Sequence, residues 1–291
     1  MADAQVTQLA DGRELAWAEL GDPSGPAVFL FHGTPGSRRQ AAFDDKPVLA
    51  AGVRLIAPDR PGYGFSSYHP DRTLPGFATD VAALADHIGI DRFAVVGVSG
   101  GGPHASVCAA LLPDRVVAAG IVSGIGPLHE PGSEDGMLGF NRLMTRLARG
   151  APAAIVPVYA LMTAVTRRWP ERLVRQLGSQ LPAPDAEVLQ RPEVAAAFVD
   201  DMRHASRTTA RAAVQDFALF ANDWGFRLED ITVPVHLWQG DCDRNVPPAH
   251  VQRQAERIPN AFVHLCPNEG HMLVIDHLEE ILGVVSAPLR D

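Results

Sequence analysis

Lysine is nearly missing from this chain: Lys46 is the only one among 291 residues, against 24 arginines. No function follows from that imbalance. Basic charge as a whole is also short, with 25 lysines and arginines against 34 aspartates and glutamates, a formal net charge of -9 and a pI near 5.6. No basic stretch offers a footprint for nucleic acid or for anionic lipid, so neither is an expected partner. Long apolar runs are missing too. The longest, residues 151–165, is shorter than the roughly 18 to 20 residues needed to span a bilayer and contains Pro152 and Pro157. The opening MADAQVTQLADGREL has neither the basic nor the apolar region of a secretory leader. Cysteine is scarce: Cys108, Cys242 and Cys266 are an odd number without metal-ligand spacing. Free thiols in a reducing cytoplasm are therefore expected, and no metal or other cofactor. What is present is a chain 46% hydrophobic with mean hydropathy near zero, enough for one large core. A small-molecule substrate is the expected partner, and a homodimer stays open.

The order of apolar runs defines the architecture. VTQLA, a turn at Asp11-Gly12 and RELAWAEL read as an antiparallel hairpin. AVFLF (27–31), RLIAP (54–58), RFAVVGV (92–98) and VVAAGIVSG (116–124) then alternate with helical segments, which argues for a parallel sheet covered on both faces. In FATDVAALADHIGI the apolar residues Phe77, Val81, Leu84 and Ile88 recur at helical spacing. From Gly126 to Trp224 helical periodicity continues without a strand, broken by Pro, Gly and Asp. Strands return at VPVHLWQG (233–240) and AFVHLCP (261–267), with a closing helix from about Gly270 to Val285. The expected organisation is an α/β core of residues 1–126 and 226–291, with a helical cap of residues 127–225 lying over one edge of the sheet.

The strand at 92–98 runs directly into Ser99-Gly100-Gly101-Gly102 and a helix. Gly100 to Ala105 fits G-x-G-x-x-A, a dinucleotide fingerprint, but that motif belongs to a first βα unit with an acid at the end of the next strand, and residues 116–124 supply none. The other reading is G-x-S-x-G, Gly97 to Gly101, in which small neighbours let the backbone bend sharply and expose a serine. A tight turn with an incidental serine competes with it. Two further loops, each at a strand end, carry Asp241 and Asp243 in GDCD and His271 in EGH, so Ser, Asp and His follow in that order. The loop His32-Gly33-Thr34-Pro35-Gly36 brings backbone N–H groups near, and Thr34 with Gly100 are the candidate oxyanion donors.

Together HGTPGS, PDRPGYGFS (58–66), GVSGG, GDCD and EGH resemble the α/β-hydrolase superfamily, in its serine-nucleophile branch with a helical cap. The resemblance implies an eight-stranded, mostly parallel sheet whose second strand is antiparallel. It also implies a triad of nucleophile Ser99, base His271 and acid Asp243, the last chosen over Asp241 by its distance from the strand-ending glycine. Ester hydrolysis through an acyl-enzyme is the leading expectation. Proline iminopeptidase-like, lactone and C–C bond hydrolysis, peroxidation and a non-catalytic receptor remain open. Phe198, Phe217, Phe220 and Tyr159 are available to line a pocket, and Glu187, Glu193, Asp200 and Asp201 to hold a substrate ammonium. His104 and His32 are expected to have structural roles, Asp59 and Arg60 to form an ion pair or cap turns, and Cys242 to be a bystander thiol.

Overall fold

A strand buried on both faces has no side to turn to water, and Phe93–Val98, buried at every position, lies in the middle of a sheet. The computed structural model describes residues 4–43, 45–207 and 211–290. Its strands are β1 (Gln5–Gln8), β2 (Glu14–Gly21), β3 (Ala27–Phe31), β4 (Arg54–Pro58), β5 (Phe93–Val98), β6 (Val116–Val122), β7 (Val235–Gly240) and β8 (Ala261–Cys266). They form one eight-stranded sheet in the order β1-β2-β4-β3-β5-β6-β7-β8. β2 runs antiparallel to both of its neighbours, and the remaining pairs are parallel.

The helices are α1 (Lys46–Ala50), α2 (Leu74–His87), α3 (Gly102–Leu111), α4 (Gly139–Gly150), α5 (Ile155–Arg168), α6 (Pro170–Gly178), α7 (Ala183–Gln190), α8 (Pro192–Ala205), α9 (Arg211–Ala221), α10 (Ala249–Arg257) and α11 (Val274–Ser286). Period-two alternation sends Phe29, Phe31, Phe93 and Val95 to one face of the sheet, where α2, α3 and α10 cover them. Val28, Leu30, Val96 and Val98 face the other way, under α1 and α11. On α11 the buried Leu278, Ile281, Leu282 and Val285 make one stripe, and full burial of each such side chain contributes roughly 1.5 to 3 kcal/mol.

Two helix boundaries differ from the sequence reading. α2 begins three residues earlier, because the Thr73 hydroxyl accepts the Gly76 N–H at 3.0 Å and Pro75 sits in the first turn. α11 begins only at Val274, because the residues before it form the loop that carries His271. Among the described residues no strand occurs between β6 and β7. α4 to α9 fill the interval, with α9 packed on α4 and α5, and α8 laid over the short turn Arg38–Ala42. Among the described residues no helix is long and apolar enough to cross a membrane.

Candidate active site

Every candidate residue of the Ser, Asp and His set leaves a strand at its carboxyl end. At the end of β5 the chain reverses through Ser99, held at φ 54°, a region that costs a non-glycine residue on the order of 1 to 3 kcal/mol. The turn closes only over small residues. A Cβ on Gly97 would lie 2.3 Å from the Gly101 carbonyl oxygen, and one on Gly101 would lie 2.1 Å from that of Phe31.

The loops after β7 and β8 meet this turn. His271 Nε2 lies 3.0 Å from Ser99 Oγ, and His271 Nδ1 lies 2.8 Å from Asp243 Oδ2. Asp243 is buried and held from both sides: Oδ1 accepts the N–H groups of Asn245 and Val246 at 2.8 and 2.9 Å, and Oδ2 also accepts Gln239 Nε2 at 3.2 Å. Asp241 turns elsewhere and accepts the Asn268 N–H at 2.8 Å. Burial pushes the His271 imidazole down, but the charge and hydrogen bond of Asp243, with the charge of Asp185 behind, more than offset it, leaving the ring above its ordinary pKa.

The loop after β3 abuts the same serine. A Cβ on Gly100 would fall 2.3 Å from Thr34 Oγ1 and 3.2 Å from the Thr34 backbone nitrogen, so the loop after β3 packs directly against the residue that follows Ser99. Thr34 Oγ1 donates to Asp216 Oδ2 at 2.6 Å and accepts from Arg60 Nη2 at 2.8 Å, while Arg60 also holds the Gly33 carbonyl at 2.9 Å. Asp216 lies on α9 and accepts further bonds from Tyr63 Oη at 2.7 Å, Arg60 at 3.0 Å and Arg72 at 2.5 Å. Desolvation alone would raise its pKa. The charges of Arg60 and Arg72 overcome that and hold it well below the usual carboxylate range.

Ser99 and His271 open onto a cavity of about 430 Å³ between the sheet and the helices α4 to α9. Tyr159, Phe198, Phe217 and Met202 line it together with Leu30. Such a cavity, apolar with a few convergent polar groups, is the usual form of a small-molecule site.

The family model described as alpha/beta hydrolase fold matches residues 26–278 of this chain. The chain belongs to the α/β-hydrolase family. It is 30% identical over 280 residues to the dihydrolipoyllysine-residue acetyltransferase component of an acetoin cleaving system from Pseudomonas putida, covering 96% of this chain and 67% of that one. A bifunctional esterase/perhydrolase from Acinetobacter calcoaceticus is 32% identical over 120 residues, 40% of this chain and 44% of the relative. Among solved structures, a bromoperoxidase from Bacillus anthracis superposes with a TM-score of 0.73 at 20% identity, over 99% of this chain and 100% of that one.

Three buried carboxylates of this α/β-hydrolase, none of them given these roles by the sequence reading, reach from the helices between β6 and β7 onto the loops around Ser99. Asp216 holds the Thr34 loop. Asp201, on α8, accepts the Ser37 N–H at 2.8 Å and its hydroxyl at 2.6 Å. Asp185, on α7, accepts the Met272 N–H at 2.8 Å, and its carboxyl fills the space beside Gly270, where a Cβ would fall 2.3 Å from Oδ1. Burial raises the pKa of Asp185, and bonds from the Met272 and His271 backbones offset that in part. A signal for them existed. Asp216 stands in register with the buried Ala212, Ala213 and Phe220, Asp201 with Val194 and Ala205, and Asp185 with Leu189, each an acid on an apolar helical face.

The remaining candidates sort by position. Phe220 does not line the cavity; it is fully buried, and its ring packs edge-on against His104. Asp59 and Arg60 do not pair with each other, because adjacent side chains diverge here. Asp59 binds Arg38, which also meets His204 on α8, and Arg60 binds Asp216. His104 is buried with Nδ1 3.0 Å from the Gly100 carbonyl, and burial with the nearby Arg60 charge keeps it neutral. His32 binds the Gly33 carbonyl at 2.8 Å and accepts the Arg60 N–H at 3.1 Å, with its pKa lowered to about 3 by burial and then Arg60. Of the four acids considered for a substrate ammonium, Glu193 reaches the cavity wall, Asp200 pairs with Arg39, Asp201 is buried on Ser37 and Glu187 is exposed. Asp241 raises the pKa of the Cys242 thiol and makes it a poorer nucleophile.

Proposed function

We propose that this α/β-hydrolase cleaves a carboxylic ester, or a related acyl bond, of a small lipophilic substrate through an acyl-enzyme on Ser99. One observation supports it above the rest: Ser99 Oγ, His271 and the buried Asp243 form a continuous hydrogen-bonded line at the wall of an apolar cavity. With the Nδ1 proton donated to Asp243, Nε2 carries a free lone pair and takes the Ser99 proton as Oγ attacks the acyl carbon. Asp243 stabilises the imidazolium that results. The developing oxyanion is held by the backbone N–H groups of Thr34 and Gly100. His271 then protonates the leaving alcohol, and a water molecule deprotonated by the same nitrogen releases the acid and restores Ser99.

In this reading residues 127–225 act as a cap over a core of residues 1–126 and 226–291. The cap supplies Tyr159, Phe198 and Phe217 to the acyl pocket and anchors the site loops through Asp185, Asp201 and Asp216. An ester is favoured over a peptide amine because Asp200 and Asp201 are already engaged, and Glu193, the one of the four acids at the cavity wall, has the Arg191 charge beside it. The name of the esterase/perhydrolase relative agrees with that choice. Ser99→Ala is expected to lower kcat/KM for p-nitrophenyl esters by roughly 10⁴-fold or more, with an unchanged circular dichroism spectrum. A folded variant that retained activity would exclude the serine mechanism.

A further inference from the structure

The sequence reading expects no metal because no ligand spacing recurs along the chain, yet three elements bring a donor set together. Cys266 ends β8, Glu269 lies in the following loop, and His277 lies on the first turn of α11. A sulfur, a carboxylate oxygen and an imidazole nitrogen from these residues all lie within 4.8 Å of one another. We propose that Cys266, Glu269 and His277 bind a divalent transition-metal cation of the zinc class, bracing the loop that carries His271.

The donors determine the class of ion. Thiolate and imidazole are soft to borderline ligands that select zinc-like ions over calcium or magnesium, and three protein ligands leave a fourth tetrahedral position for water. The histidine is already oriented for the task. His277 Nε2 faces Glu269 at 2.9 Å, while Nδ1 lies 3.0 Å from Glu280 Oε2. Glu280 is itself fixed by the indole N–H of the buried Trp238 at 3.2 Å. A carboxylate behind the distal ring nitrogen is the usual outer support of a metal-binding histidine, fixing its tautomer and raising its basicity.

Charge also favours a cation. The carboxylates of Glu269, Glu280 and Asp241 all act on the Cys266 sulfur, so the site sits in a field of negative charge. Binding is a ligand exchange: the metal loses water, the thiol and any protonated imidazole lose their protons to solvent, and no electron is transferred. The consequence is mechanical. Glu269 precedes His271 by two positions, and the Glu269 carbonyl accepts the Cys242 N–H at 2.9 Å, so the ion would join the acid loop, the histidine loop and α11.

The test is a Co²⁺ titration of the full chain after chelator treatment, under a phosphine reductant. One equivalent of Co²⁺ should give a sulfur-to-cobalt charge-transfer band and tetrahedral ligand-field bands that Zn²⁺ abolishes. Cys266→Ala should remove the charge-transfer band, and Glu269→Gln and His277→Gln, both on partly exposed side chains, should weaken binding. Cys242→Ala should leave it unchanged. Glu280→Gln should weaken binding roughly 10- to 100-fold, as loss of an outer-shell partner does. Zinc at 100-fold above its Kd should raise the Tm of the unaltered chain by roughly 4 to 5 °C. Absence of a charge-transfer band at stoichiometric Co²⁺, or a band that survives Cys266→Ala, would overturn the proposal. None of these readouts depends on the reaction at Ser99.

Discussion

His271 experiences opposing influences: burial disfavours its cation, and the carboxylates of Asp243 and Asp185 favour it, so its pKa is above the ordinary imidazole value. A base works only when neutral, so the acid limb of kcat/KM should lie above about pH 6.5. Asp185→Asn keeps an oxygen for the Met272 N–H but removes the charge. The limb should then move to lower pH, and a profile that did not move would deny Asp185 any electrostatic hold on the ring. Asp201 makes a separate prediction. Burial, with Asp59 and Asp200 nearby, raises its pKa from 3.8 to about 7, and Oδ2, which has no partner, is the natural site for the proton. Between those two pH values the folded chain keeps a proton that the unfolded chain releases, so this residue makes stability fall as pH rises from about 4 to about 7. Asp201→Asn should remove that slope, seen as a Tm at pH 7 closer to the Tm at pH 4.5 than in the unaltered chain.

At the scale of elements, α9 is tied to the loop after β3 by Asp216, which faces Thr34, Tyr63, Arg60 and Arg72 at once. Removing one member of a buried charge cluster leaves the others unpaired, at a cost of roughly 3 to 5 kcal/mol. Asp216→Ala should lower stability on that scale in urea titrations. Asp216→Asn, if it folds, should lower kcat more than it raises KM, because the proposed role of Thr34 is to hold the oxyanion of the transition state. A substitution without effect on either quantity would show the cluster to be incidental. The strands were legible in sequence because fully apolar runs such as Phe93–Val98, and short runs closed by turn residues such as Glu14–Gly21 before Asp22-Pro23, have few alternatives. The strand-end loops were legible for the same reason, and with them the positions of Ser99, Asp243 and His271, which the structure brings within hydrogen-bonding distance of one another. Asp185, Asp201 and Asp216 were not, since an acid in a helix ordinarily marks the solvent face, and only its register with buried neighbours contradicts that. The pairing of Asp59 with Arg38, and of Arg60 with Asp216, depends on which loops stack and leaves no local trace.

Across the whole molecule, one sheet edge collects the loops after β3, β5, β7 and β8, and the helices between β6 and β7 close over them. Ser99, Asp243 and His271 lie on loops of the sheet, and much of the cavity wall comes from those helices. Ester chain length should therefore read out the helices: kcat/KM is expected to rise with acyl length until the cavity of about 430 Å³ is filled, then fall. Phe198→Ala should move that maximum to a longer chain, and an unmoved maximum would place the acyl group elsewhere. The most direct test of the central claim is labelling with a fluorophosphonate followed by peptide mass spectrometry, run beside p-nitrophenyl ester turnover. A single adduct on Ser99 that abolishes turnover in proportion to labelling is the expected result. Turnover that persists after full labelling, or an adduct on any residue other than Ser99, would contradict the account.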